Sequence, residues 1–129
     1  MLDSLTGARM LVVEDETLVA MMVEDMLSDF GCVVVDVAGS VSTGLALVAD
    51  PDLALDGAIL DVNLGGEKVY PVADALTARG VPFMFATGYG ISGIAASYAH
   101  LPALAKPYEP QALERTLALV LQQSRRAKQ

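Results

Sequence analysis

Cysteine and histidine each occur once in this chain of 129 residues, at Cys32 and His100. A lone cysteine forms no internal disulfide and fits a reducing compartment, which points to the cytoplasm. One cysteine with one histidine excludes a zinc site built from those ligands and argues against a histidine-based catalytic triad. Long apolar runs are missing too, and none approaches the roughly 18 residues that a membrane span needs. The opening segment MLDSLTGARMLVVEDE lacks the basic start and long apolar stretch of a secretory signal. Cations are scarce, with 8 Lys and Arg against 16 Asp and Glu. The resulting net charge of −8 opposes non-specific binding to nucleic-acid phosphates. The short basic stretch RRAK at 125–128 reads as the end of a helix rather than a nucleic-acid arm.

What is present is apolar material in short, punctuated runs. Hydrophobic residues make up 53% of the chain, enough for one domain over 1–129 with a core of its own. MLVV (10–13), CVVVDV (32–37), ALDGAILDV (54–62), VPFMFAT (81–87) and a brief run at Ala103–Ala105 read as strands. Between the first two, Leu18, Met22, Met26 and Phe30 recur at helical spacing, with Val19 and Leu27 beside them and Gly31 placed to end the helix. Ser40 is suited to cap a second helix through Leu45 and Val48, and VYPVADALTARG reads as a third helix closed by Gly80. The last helix starts near Pro110 and carries Leu113, Leu117, Val120 and Leu121 on one face. GYGISGIAASY (88–98) is too rich in glycine and serine for more than a weak or short helix. Five strands alternating with helices predict a doubly wound parallel sheet, covered on both faces.

In such sheets ligands gather beyond the carboxyl ends of the strands. Those ends carry Glu14 and Asp15, then Asp61, then Thr87, then Lys106. Singly, each is an ordinary polar strand end; together they bring three carboxylates, a hydroxyl and an amine to one edge. Carboxylates crowded in this way repel, so without a cation one of them takes up a proton near neutrality. Oxygen-only ligands suit Mg²⁺. A carboxylate beside such an ion can attack phosphorus to give an aspartyl phosphate, whose oxygens Thr87 and Lys106 would meet with a hydrogen bond and a positive charge.

VVEDE (12–16), LDV (60–62), AT (86–87) and KP (106–107), in this order, resemble the receiver domain of two-component response regulators over nearly the whole chain. FATGYG (85–90), with DVNLGGE (61–67), is similar to the FAT GUY subfamily of receivers, mainly alphaproteobacterial and often stand-alone. The resemblance implies a flavodoxin-like (βα)5 fold with strand order 2-1-3-4-5. It implies Asp61 as phosphoacceptor, Asp15 as a direct Mg²⁺ ligand, Glu14 acting through metal-bound water and the Asn63 backbone carbonyl completing the protein ligands. Thr87 and Lys106 would hold the phosphoryl oxygens, and the Lys106–Pro107 peptide would be cis. The implied activity is a phosphoacceptor regulatory domain rather than an enzyme with an external substrate, one that assists its own phosphorylation and dephosphorylation. The implied partners are a sensor histidine kinase or histidine phosphotransfer protein as donor and a downstream signalling protein as output. No nucleic acid or membrane is implied, and a weak homodimer is compatible.

Two departures from the family pattern bear on switching. Ala103 stands where receivers usually carry an aromatic switch residue, so Tyr89, beside Gly88 in the FATGYG segment, is the candidate to assume part of that role. Its plainer reading is a partly exposed loop aromatic. Gly88, Gly90 and Gly93 replace a firm fourth helix with a segment whose order could depend on phosphorylation. Competing readings are a receiver-like binding module that is never phosphorylated, an aspartate-nucleophile phosphatase and a flavodoxin-like cofactor binder. The phosphatase of haloacid dehalogenase type wants a second aspartate where Asn63 stands, and the cofactor binder wants a phosphate-cradling loop after the first strand.

Overall fold

The central strands of the sheet, RMLVV, GAILD and FMFAT, are short and mostly apolar, as strands buried on both faces require. The computed structural model describes residues 5–88, 94–98, 100–106 and 109–127. Five parallel strands form the sheet: β1 (Arg9–Val13), β2 (Val33–Ala38), β3 (Gly57–Asp61), β6 (Phe83–Thr87) and β7 (Ala103–Ala105), in spatial order β2-β1-β3-β6-β7. This is the expected 2-1-3-4-5 order. Between β3 and β6 lie two further strands of two residues, β4 (Asn63–Leu64) and β5 (Glu67–Lys68), paired antiparallel. Gly65 and Gly66 turn that hairpin at φ of 55° and 93°, the left-handed pair a two-residue turn demands. The sequence reading had no hairpin here.

Four α-helices cover the sheet among the described residues. α2 (Val41–Ala49) and α3 (Tyr70–Arg79) sit on one face, sharing a core with Leu11, Leu60, Phe83 and Phe85. α1 (Thr17–Asp29) and α4 (Pro110–Ala127) sit on the other, over Met10, Val12, Ile59 and Met84. Ser40 caps α2 as expected, its side chain accepting the Thr43 amide at 3.2 Å. Gly80 ends α3 in the left-handed region at φ 79°. Gly44 lets α2 approach α3 closely: a Cβ there would lie 3.0 Å from Cγ2 of Val72. Leu113 and Leu117 on α4 are fully buried, each worth about 2–3 kcal/mol of transfer from water. In place of a fifth α-helix, the β6–β7 connection holds one 3-10 turn, Ala96–Tyr98, in its described part. That agrees with the weak helix expected of its composition.

The buried face of α1 differs from expectation. Ala20, Val23 and Leu27 face the sheet, with Val19, Met26 and Phe30 at the margin. Leu18 and Met22 are 76% and 52% exposed, and Met21 beside them is 54% exposed. The helix is apolar over a wider arc than it buries, and the seam running through the small Ala20 lies against the sheet.

Candidate functional site

The site grows from where the strands stop. β1 and β3 are buried on both sides, and each yields to a carboxylate at its carboxyl end, Glu14 after β1 and Asp61 at the last position of β3. Backbone pairing fixes them: the Glu14 amide donates to the Ala38 carbonyl at 2.9 Å, and Asp61 lies opposite Ala86 of β6. Thr87 ends β6 and is 1% exposed. Its carbonyl accepts the Lys106 amide at 2.8 Å, so Lys106 leaves β7 directly alongside it.

The ammonium of Lys106 then reaches across two strands. Its Nζ lies 2.5 Å from Oε1 of Glu14 and 3.1 Å from Oδ2 of Asp61. Glu14 and Asp61 are both nearly sealed from solvent, at 5% and 6% exposure. Oε2 of Glu14 also accepts the Glu16 amide at 3.1 Å. Asp15 is exposed, and its Oδ2 accepts the amide of Gly65 at the hairpin tip, at 3.1 Å. Oxygens of Glu14, Asp15 and Asp61 all fall within 4.8 Å of one another.

One ammonium faces two buried carboxyls, and the electrostatics follow from that count. Burial pushes the Glu14 carboxyl up to about 7; Lys106 pulls it down, but the neighbouring Asp61 raises it further. Burial alone would lower the Lys106 ammonium, yet the hydrogen bond to Glu14 and the charge of Asp61 outweigh it, so its pKa is raised. Glu14 and Lys106 therefore both hold their protons more tightly than isolated groups would. Such a cluster is short of positive charge. Its all-oxygen donors suit a hard cation that keeps part of its water shell.

Four of the predicted residues, Glu14, Asp15, Asp61 and Lys106, are thus brought together, with Thr87 at the adjoining strand end. Asn63 lies at the rim: its backbone amide donates to Oδ1 of Asp61 at 3.3 Å, and it stands opposite Lys68 in the β4–β5 hairpin. Tyr89, Gly90, Gly93 and the Lys106–Pro107 peptide lie outside the described residues. No buried side-chain nitrogen or oxygen among the described residues lacks a partner.

Sequence reading missed two groups. Lys68, on β5, donates to Oδ1 of Asn63 at 2.5 Å. Tyr98 stacks on Tyr70 with ring centres 5.9 Å apart and packs edge-on against Phe83 and Phe85. Its hydroxyl donates to Asp74 on α3, while the Tyr70 hydroxyl accepts the Ala95 amide at 2.8 Å. Because Phe85 is paired with Ala103, the Tyr98 ring packs beside the strand position that lacks an aromatic of its own. The signal was an isolated tyrosine amid glycine, serine and alanine, but the spacing of that segment gave it no face.

A five-stranded 2-1-3-4-5 parallel sheet with acids at the ends of its first and third strands and a lysine after its fifth defines a receiver-type signalling fold. The comparisons agree. The structure of SdrG from Sphingomonas melonis is 43% identical, covering 89% of this chain and 97% of that one at a TM-score of 0.79. The BeF3-activated conformation of SdrG from Pseudomonas melonis is also 43% identical, with 90% and 98% covered and a TM-score of 0.76. A response regulator receiver protein from Sinorhizobium medicae shares the fold at 20% identity and a TM-score of 0.77, covering 92% of this chain and 97% of its own. No family model matches the chain, nor does any curated protein. The chain belongs to the response regulator receiver family, and its FATGYG segment fits the FAT GUY subfamily to which SdrG-type proteins correspond. Its role is therefore in signal transduction.

Proposed function

We propose that this receiver domain accepts a phosphoryl group on Asp61 from a phosphohistidine and changes its partner binding in response. The observation that carries the reading is the Lys106 ammonium bridging Glu14 and Asp61 beside Thr87. In the transfer, an Asp61 oxygen forms the new bond to phosphorus as the P–N bond breaks. The departing imidazole takes the electron pair and a proton from solvent. Asp15 and Asp61 would hold Mg²⁺ directly, Glu14 through water, and Asn63 through its carbonyl. When bound, the ion offsets charge on the phosphoryl oxygens. Gly65 holds Oδ2 of Asp15 by its amide, and a carboxylate oxygen of Asp15 lies within 4.8 Å of those of Glu14 and Asp61.

Lys106 and Thr87 serve the product. The ammonium shifts from Glu14 toward the new dianion, and the Thr87 hydroxyl donates to a phosphoryl oxygen, because a buried charge left without donors is costly. BeF3 is the activating group named for SdrG from Pseudomonas melonis, and its use there supports an acceptor site of this kind here. The donor is a sensor histidine kinase or a histidine phosphotransfer protein. The arc of α1 next to the acids, with exposed Leu18, Met21 and Met22, supports docking of a helical partner. The output is a downstream signalling protein. The domain regulates rather than turns over an external substrate, in the cytoplasm; no helix among the described residues is long and apolar enough to cross a membrane.

The test is incubation with a small phosphodonor and Mg²⁺, followed by intact mass measurement. The parent is expected to gain one phosphoryl group and Asp61→Asn none. Equal gain by both would remove Asp61 from the reading.

A further inference from the structure

Charge is distributed unevenly around the acidic edge. Glu14 and Asp61 are buried there, and Asp15, Glu16 and Glu67 are exposed around them. An anionic phosphodonor approaching this edge is repelled before it reaches Asp61. Among the described residues, Arg9 opens β1 and Arg79 closes α3, which places both at the opposite edge of the sheet, and Arg115 is exposed on α4. The cations bordering the acids, among the described residues, are Lys106, engaged on Glu14 and Asp61, and Lys68.

Lys68 is exposed, yet its position is set. Asn63 and Lys68 are directly opposed across the β4–β5 hairpin, so their side chains emerge on the same side. The Gly65–Gly66 turn fixes that register. The ammonium rests on Oδ1 of Asn63 at 2.5 Å, and the amide of the same Asn63 touches Asp61. One of its three N–H donors is thus engaged on Asn63, and the others remain for a ligand.

We propose that Lys68 positions the phosphoryl donor: held by Asn63 at the mouth of the acidic site, its ammonium is the cation that an anionic phosphodonor engages before transfer to Asp61. The proposal rests on the reading of Asp61 as phosphoacceptor and names the step before it. With acetyl phosphate, Lys68 binds the donor's phosphoryl oxygens. An Asp61 oxygen then forms its bond to phosphorus as the bridging P–O bond breaks, and acetate departs with the electron pair. Lys68 touches the donor, not the bond being made, so its effect falls on donor binding.

The rate of phosphoryl gain in the presence of Mg²⁺, followed by intact mass against acetyl phosphate concentration, tests this in the parent, Lys68→Ala, Lys68→Arg and Lys68→Glu. Loss of one close charge should raise the half-saturating donor concentration about tenfold at low salt, with a smaller change in the limiting rate. The deficit should shrink at high salt, be largely restored by arginine and deepen with glutamate. A second measurement needs no transfer: titration of inorganic phosphate with Mg²⁺, observing the Asn63 side-chain amide and the Gly65 amide by NMR. These signals should move in the parent and stay in Lys68→Ala. Parent-like donor dependence together with parent-like phosphate shifts in Lys68→Ala would overturn the proposal. If the parent gains no phosphoryl group at all, the acceptor reading fails, and the phosphate titration alone decides whether Lys68 binds the anion.

Discussion

Replacing Glu14 with glutamine should stabilise the metal-free protein, by an amount that grows with pH. In the fold, Glu14 is sealed beside Asp61 with a single ammonium between them, and burial has pushed its carboxyl from 4.5 up to about 7. Between those two values the native protein binds more protons than the unfolded chain, so stability falls as pH rises. The destabilisation is nearly absent below pH 4.5 and complete above about 7. At full ionisation the displacement corresponds to about 3 kcal/mol. Glutamine keeps the shape and an oxygen acceptor for Lys106 but never ionises. Its advantage should therefore be about 3 kcal/mol at pH 8 and less than about 1 kcal/mol at pH 5. In a chain of this size the larger figure is about 10 °C in melting temperature. Urea unfolding with a chelator present, at both pH values, measures the difference directly. Mg²⁺ should narrow the gap by stabilising the parent. A glutamine variant equally stable at both pH values, or weaker than the parent at pH 8, would refute the picture of an undercompensated buried carboxylate.

Asp15→Asn should abolish phosphorylation by a small phosphodonor and weaken Mg²⁺ binding at least tenfold by titration, whereas Glu14→Gln should weaken both less, because a ligand acting through water contributes less than a direct one. Lys106→Met removes the cation that competes for Glu14 and Asp61, so its Mg²⁺ affinity should rise severalfold in the same titration; a fall would show that the ammonium organises the acids rather than competing for them. Tyr98→Phe, which loses the hydroxyl's interactions with Asp74 and Thr77 and keeps the ring, should cost about 1 kcal/mol in urea unfolding. Tyr98→Ala should cost about 3 kcal/mol, through loss of the ring contacts with Tyr70, Phe83 and Phe85. Phosphorylation should alter hydrogen exchange across residues 88–99 in the parent and not in Thr87→Ala; exchange that changes only elsewhere would place the response in another element.

Legibility in the sequence followed the strength of the local signal. The acids at 14, 15 and 61 and the lysine at 106 could be placed because an apolar run that stops abruptly at a polar residue marks the end of a buried strand. The face of α1 was less legible. Leu18, Met22 and Met26 form one apolar stripe and Ala20, Val23 and Leu27 another, and periodicity alone does not say which meets the sheet. The small Ala20 decides it in the fold, and no hydropathy pattern rewards an alanine for that. The hairpin at Asn63–Lys68 escaped notice because strands of two residues are too short to alternate, leaving paired glycines as the one sign. Tyr98 joins its cluster through contacts with α3 and β6, which are distant in sequence.

The two ends of the Lys106–Asp61 ion pair are mounted on very different supports. Asp61 closes a strand buried throughout and flanked on both sides by others, whereas Lys106 follows three residues at the sheet's margin, partly open to water. On the proposed reading, a charge added at Asp61 would be felt at a buried, doubly flanked strand and, through one side chain, at the partly exposed border of the sheet. A chemical event in the interior would thus be read out at the margin.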